Sequence, residues 1–209
     1  MIDAYIHPVQ RTVLQTPAQW LARRGVRADS VSLAGFALGL LAVPALALGW
    51  WGAAFALIVA NRVMDGLDGA VAQIHGPTER GAFLDIALDF VFYALVPVGF
   101  ALHDPAAHAL PAAVLIAAFV GTGSSFLAFA AIAARSGRQA EQFPQKGIYY
   151  LGGLTEGFET IALFLLMCLL PAAFAPLAWT FAAACAVTTV LRWHQGWTAF
   201  APPSVRRPR

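Results

Sequence analysis

Four aspartates lie inside two apolar segments that are each long enough to cross a lipid bilayer. They are Asp65 and Asp68 in the first segment, and Asp85 and Asp89 in the second. On insertion scales, an aspartate at the centre of a membrane helix costs about 2.5 to 3.5 kcal/mol, so such residues are usually functional. These carboxylates therefore restrict what the chain can fold into more than any other feature does.

The spacing of the aspartates places each pair on one face of a helix. The Gly76-Pro77 break between the two segments predicts that the first helix ends there and that the second returns antiparallel. Counted outward from this break, Asp68 is expected opposite Asp85. Asp65 is likewise expected opposite Asp89. We therefore expect four carboxylates to face one another across a helical hairpin.

Four clustered negative charges in an apolar setting favour bound cations. Hard divalent cations such as Mg²⁺ or Mn²⁺ prefer carboxylate oxygens, and a pair of them would balance the four charges. Two-metal sites commonly hold a diphosphate and stabilise an in-line displacement at phosphorus. The alternative is that some of the acids pair with basic groups such as Arg62, or stay protonated in a packed interface.

The composition is typical of a polytopic membrane protein. Of the 209 residues, 59% are hydrophobic and only 11% are charged, unlike an ordinary soluble domain. Six apolar segments, each near the roughly 20 residues that a spanning helix needs, predict an all-α protein with six transmembrane helices. These segments are 32–48, 52–74, 81–102, 109–134, 153–170 and 174–191.

Three regions are predicted along the chain. Residues 1–30 have helical apolar spacing and end in the basic run Arg23, Arg24 and Arg27, which predicts an amphipathic juxtamembrane helix on the membrane surface. A solvated leader is the alternative. Residues 31–194 form the six-helix domain, and residues 195–209 form a basic tail.

The placement of basic residues predicts the orientation in the membrane. In an up-down six-helix arrangement, all lysines and arginines except Arg62 fall on one side. The positive-inside rule therefore places both termini, and the break beside the aspartates, in the cytoplasm. We expect the acidic site to open to cytoplasmic substrates.

The acidic stretch is similar to the signature of the CDP-alcohol phosphatidyltransferase family, D-x-x-D-G-x-x-A-R-x8-G-x-x-x-D-x-x-x-D. This chain has Asp65-x-x-Asp68-Gly69-x-x-Ala72 and then Gly81-x-x-x-Asp85-x-x-x-Asp89. It departs from the signature at Gln73, where the family has arginine, and in a spacer of seven residues instead of eight before Gly81. The short spacer resembles that of a bacterial branch of the family.

The resemblance implies a phospholipid-synthesis transferase that moves a phosphatidyl group from CDP-diacylglycerol to an alcohol acceptor and releases CMP. Asp65, Asp68 and Asp85 would bind two Mg²⁺ or Mn²⁺ ions, and Asp89 would be a further ligand or the general base. The resemblance also implies a homodimer in the bacterial cytoplasmic (inner) membrane, without a nucleic-acid partner. The nucleotide-diphosphate end would lie near Gly69, Ala72, Gln73, Gly81, Arg62 and Arg80.

Two groups of polar residues are candidates for binding the acceptor. Glu156 and Glu159, near the start of the fifth apolar segment, would orient a hydroxyl-rich or amine-bearing acceptor, or alternatively are acids favoured by a helix N-terminus. Arg135, Arg138 and Lys146 would recognise a phosphorylated acceptor, or alternatively fix the topology and meet anionic lipid.

Two other functions stay open on sequence grounds. A cation transporter would use the intramembrane acids as its ion path. A noncatalytic relative that binds CDP-lipid is suggested by Gln73.

Overall fold

The computed structural model describes residues 14–136 and 154–201. All regular secondary structure in these two ranges is helical, which confirms the all-α prediction for them. The helices are α1 (14–23), α2 (Ala28–Ala47), α3 (Trp51–His75), α4 (Glu79–His103), α5 (Pro105–Arg135), α6 (Gly157–Leu169) and α7 (Phe174–Ala199), with a 3₁₀ turn at Pro171–Ala173.

Four helical stretches have the length and the apolar composition needed to cross a membrane. They are α2, α4, α5 and Pro171–Ala199, which contains α7. α3 is long enough, with 25 residues, but the acidic motif makes it less apolar than these four. α6 has only 13 residues, about 20 Å of helix, and it begins later than the predicted segment 153–170. The chain is thus a helical membrane protein with four such spans in its described part, and the count of six stays a prediction.

The turn between α3 and α4 sets the direction of the two acidic helices. Gly76 has a φ of 93°, a conformation that glycine adopts without steric cost. The backbone N–H of Gly81 donates to Thr78 Oγ1 at 3.0 Å, so Thr78 caps α4. At the far end, the rings of Trp51 on α3 and His103 on α4 have centroids 4.6 Å apart. The predicted break and the antiparallel return are therefore confirmed.

α2 packs against both α3 and α4, which make few direct contacts with each other. A Cβ added at Gly35 would lie 2.7 Å from the Cβ of Met64 on α3. One added at Gly39 would lie 3.0 Å from Asn61 Nδ2 and from the Phe92 ring. Small residues permit such close approach between membrane helices. The glycine face of α2 therefore sets the distance between the two acidic helices.

The apolar core fills the half of the bundle that lies away from the α3–α4 turn. Phe100 stacks between two other rings, with centroids 5.5 Å from Trp51 and 4.4 Å from Phe174. Phe92, Phe164 and the other buried residues of this core come from α2 to α7. Polar side chains are thereby left to the half of α3 and α4 nearest the turn.

α1 has one buried and one exposed side, as expected for an amphipathic helix. Ala18 is fully buried and belongs to a cluster with Leu67 and Val71 of α3. Trp20 is half-exposed, and the Arg24 guanidinium lies 3.9 Å from its ring centroid. Residues 1–13 of the predicted segment lie outside the described residues, and its position on the membrane surface stays a prediction.

Gly35→Ala is expected to lower the thermal stability of the protein in detergent micelles. The added methyl group must separate α2 from Met64, and overpacking of this kind costs about 1 to 3 kcal/mol. Gly52→Ala is the matched control, since nothing lies within 4 Å of a Cβ added there. Thermal unfolding monitored by tryptophan fluorescence checks the prediction, and equal midpoints for the two variants would contradict close packing of α2 on α3.

Candidate functional site

A polar cavity opens between α2, α3 and α4, near the turn that joins α3 to α4. Together with the adjoining open solvent, the space between these helices measures about 280 Å³. All four aspartates singled out from the sequence line it, so the structure brings them together. The lining consists of Ser32, Gly35 and Phe36 on α2, Asn61, Arg62, Asp65 and Asp68 on α3, and Asp85, Leu88 and Asp89 on α4.

Three of the carboxylates converge on one point. One oxygen each from Asp65, Asp68 and Asp85 lies within 4.8 Å of the other two. Asp68 is buried and Asp65 half-buried, whereas Asp85 is exposed. Carboxylates at this separation repel one another unless a cation lies among them. A set of oxygen donors suits a hard divalent cation such as Mg²⁺ or Mn²⁺, so these residues fit a metal ion.

Asp89 is held by a cation of the protein itself. Its Oδ1 accepts a hydrogen bond from Arg62 Nη2 at 2.8 Å, and its Oδ2 accepts one from the Tyr93 hydroxyl at 3.3 Å. Arg62 Nη1 also lies 3.5 Å from Asp65 Oδ2. The acids therefore divide into a convergent group of three and a fourth that is paired with arginine. Helical spacing alone predicted one group of four carboxylates. Spacing does not show which carboxylate pairs with a nearby arginine.

Arg62 is fixed by neighbours on α3 and α4. Its Nε donates to Asn61 Oδ1 at 2.9 Å, and Asn61 Nδ2 donates to the Gly35 carbonyl oxygen at 2.9 Å. Asn61 itself is buried. The Arg62 guanidinium also lies 5.2 Å from the ring centroid of Phe92, within cation–π range. Hydrogen bonds thus run from α2 through Asn61 and Arg62 to Asp89 on α4.

Four further residues of the motif, Gly69, Ala72, Gln73 and Gly81, are not part of the cavity lining. A Cβ added at Gly69 would meet nothing within 4 Å, and Gly69 is exposed. Ala72 is half-buried, and Gln73 is exposed. Gly81 takes part in the cap of α4 through its N–H. The surface of α3 at Gly69, the residue after Asp68, is therefore uncrowded.

Arg80 lies outside the cavity lining and forms an ion pair with Asp29. The Arg80 side chain is exposed, whereas Asp29 is largely buried in the first turn of α2. This pair ties the start of α4 to the start of α2. No sequence pattern indicated this pairing, because the two residues are 51 positions apart in the chain.

Three of the candidates for acceptor binding, Glu156, Glu159 and Arg135, are not part of the cavity lining. Glu156 and Glu159 form a capping box at the start of α6, in which the Glu156 N–H donates to Glu159 Oε2 at 3.1 Å. The helix-terminus alternative thus describes their local role. Arg135 is exposed in the last turn of α5. Arg138 and Lys146 lie outside the described residues.

Asn61 and Tyr93 are site residues that the sequence analysis missed. Asn61 is a buried amide directly before Arg62 in an apolar segment. Tyr93 follows Asp89 by four residues, so both side chains lie on one helix face. Each could have been found from the sequence, because each is a polar residue close to the aspartate motif in an apolar segment.

Comparisons with known proteins identify related sequences. The sequence model of the CDP-alcohol phosphatidyltransferase family matches residues 26–195. Inner membrane protein YnjF of Escherichia coli (strain K12) is 51% identical over 197 residues, which cover 94% of this chain and 96% of that protein.

Solved structures of a phosphatidylinositol phosphate synthase from Mycobacterium tuberculosis share the fold. The structure with CDP-DAG bound aligns with a TM-score of 0.69 and 23% identity, covering 95% of this chain and 99% of that one. The structure in complex with manganese and citrate aligns with a TM-score of 0.72 and 22% identity, covering 94% of this chain and 93% of that one. At these identities, the similarity establishes the fold alone.

Asp68→Asn is expected to weaken Mn²⁺ binding by about tenfold or more, because it removes one hard anionic ligand from the convergent group. Isothermal titration calorimetry on the detergent-solubilised protein measures the affinity. Asp104→Asn is the matched control, because Asp104 caps α5 by accepting a hydrogen bond from the Ala107 N–H. Unchanged affinity in Asp68→Asn would contradict a metal site at these residues.

Proposed function

This chain belongs to the CDP-alcohol phosphatidyltransferase family, and on that premise we propose that it transfers a phosphatidyl group from CDP-diacylglycerol to an alcohol acceptor. The other product is CMP. The observation that carries the proposal is the convergence of Asp65, Asp68 and Asp85 within 4.8 Å inside a membrane helix bundle. Such a cluster suits the binding of a diphosphate through divalent ions.

Asp65, Asp68 and Asp85 would hold Mg²⁺ or Mn²⁺, and a second ion would use Asp89. When bound, these ions supply Lewis-acid stabilisation of the charge that develops on the diphosphate and on the departing CMP. Gly69 and Ala72 would border the cytidine end, and no side chain crowds the helix surface at Gly69.

Asp89 is the group best suited to act as general base. It lines the cavity, and the hydrogen bond that it accepts from the Tyr93 hydroxyl orients the carboxylate. The acceptor hydroxyl would give its proton to Asp89, and its oxygen would attack the phosphorus that bears the diacylglycerol. The bond from that phosphorus to the bridging oxygen breaks, CMP leaves, and the phosphatidyl group is joined to the acceptor as a phosphodiester.

The position of the cavity suits a donor whose acyl chains stay in the bilayer. The cavity lies near the α3–α4 turn, and Arg27, Arg80 and Arg135 lie at helix ends on the same side of the up-down bundle. By the positive-inside rule, this side would be cytoplasmic, with both termini there and the protein resident in the bacterial inner membrane.

We further propose that the protein is a homodimer. The acceptor would approach from the end of α5 at which Arg135 lies.

A second candidate function is favoured by Gln73. The family signature has arginine here, whereas Gln73 is uncharged and exposed. A protein without that arginine would bind CDP-lipid and turn it over poorly. Arg62 argues for the transferase instead, because it supplies a positive charge inside the cavity.

Asp89→Asn is expected to reduce CMP release by about 100-fold or more, since general-base catalysis contributes roughly that factor. CMP is measured with the purified protein in lipid nanodiscs, supplied with CDP-diacylglycerol, Mg²⁺ or Mn²⁺ and a pool of alcohols. Asp104→Asn should keep full activity, because Asp104 caps α5 on the opposite side of the bundle. Dividing the pool then identifies the acceptor.

The absence of acceptor-dependent CMP from the unmodified protein would contradict the transferase. If CDP-lipid still bound in that case, a gain of CMP release in Gln73→Arg would favour the second candidate.

A further inference from the structure

Arg62 is a positive charge built into the acidic cavity, and it precedes the first residue of the family signature. Its guanidinium lies 2.8 Å from Asp89 Oδ1 and 3.5 Å from Asp65 Oδ2. The side chain is 18% exposed, and Nε is anchored on Asn61. Arg62 therefore holds a defined place among the carboxylates and is not a mobile surface residue.

The contacts of Arg62 coincide with those that a second metal ion would need. An ion that used Asp89 together with Asp65 would have to displace the guanidinium, because the guanidinium already lies within 3.5 Å of both carboxylates. The convergent group of Asp65, Asp68 and Asp85 is formed while Arg62 is in place. A first ion can therefore bind without moving the arginine, whereas a second ion cannot.

The charge balance leads to the same order of binding. Four carboxylates and one guanidinium line the cavity, so a single divalent ion leaves a formal charge of −1. A second ion would make the charge +1 in a half-buried site, which is unfavourable without a further anion. The diphosphate of a CDP-lipid is such an anion, and it also attracts a guanidinium strongly.

We propose that Arg62 holds the place of the second divalent ion until the CDP-lipid binds. This inference rests on the proposed function and adds an order of events to it. The substrate-free protein carries one ion at Asp65, Asp68 and Asp85, with Arg62 on Asp89. The diphosphate then draws the guanidinium from Asp89, and the second ion enters. Arg62 on the diphosphate would also supply the positive charge that the chain lacks at Gln73.

Counting bound Mn²⁺ by electron paramagnetic resonance tests the proposal on the full chain in nanodiscs, without an acceptor. The unmodified protein is expected to bind one Mn²⁺ tightly, and two when CDP-diacylglycerol is present. Arg62→Met is expected to bind two without the lipid, and Arg62→Lys should return the count to one. Arg80→Met is the matched control, since it removes an arginine paired with Asp29 outside the cavity, and it should bind one.

Two tightly bound ions in the lipid-free unmodified protein would overturn the proposal, as would a count that stays at one when CDP-diacylglycerol is added. These two measurements need no variant, so they decide the question even if Arg62→Met fails to fold. One ion in a folded Arg62→Met protein would overturn it as well. The number of bound Mn²⁺ ions is measured independently of CMP release. If the protein binds two ions before lipid is added and still releases CMP, only this inference is rejected. If the ion counts are as expected but no CMP is released, only the transferase is rejected.

Discussion

Ionised carboxylates inside an apolar helix bundle are costly unless cations or water face them. Four aspartates at bilayer depth would cost about 10 to 14 kcal/mol on insertion scales before their mutual repulsion is added. In this protein Arg62 faces Asp89 and Asp65, and the convergent group opens into a cavity that suits a divalent ion. The remaining architecture keeps this arrangement of charges in place.

Two parts of the bundle share that task. The apolar core, with Phe100 stacked between Trp51 and Phe174, packs the half away from the α3–α4 turn. Near the turn, Gly35 and Gly39 let α2 lie close to both acidic helices, so α3 and α4 need little direct contact with each other. That separation leaves the cavity that the four carboxylates line. Under the proposed function, a lipid donor would reach this cavity without leaving the bilayer.

Much of this fold follows from local signals in the sequence. The length of the apolar runs and the Gly76-Pro77 break predicted the helices and the antiparallel return, because both depend on local chain chemistry. The start of α6 at Gly157 was not predicted, since hydropathy does not reveal the capping box that begins that helix. The spacing of the aspartates predicted that they would meet. It did not predict that Arg62 would select Asp89, because that choice depends on how α2, α3 and α4 pack together.

The measurement that tests this account most directly is anomalous X-ray diffraction at the manganese edge, from crystals of the unmodified protein grown with Mn²⁺. The account predicts a manganese peak bonded to carboxylate oxygens of Asp65, Asp68 and Asp85. A protein whose only manganese peaks lie away from these residues, or along a path through the bundle, would contradict a diphosphate-binding metal centre.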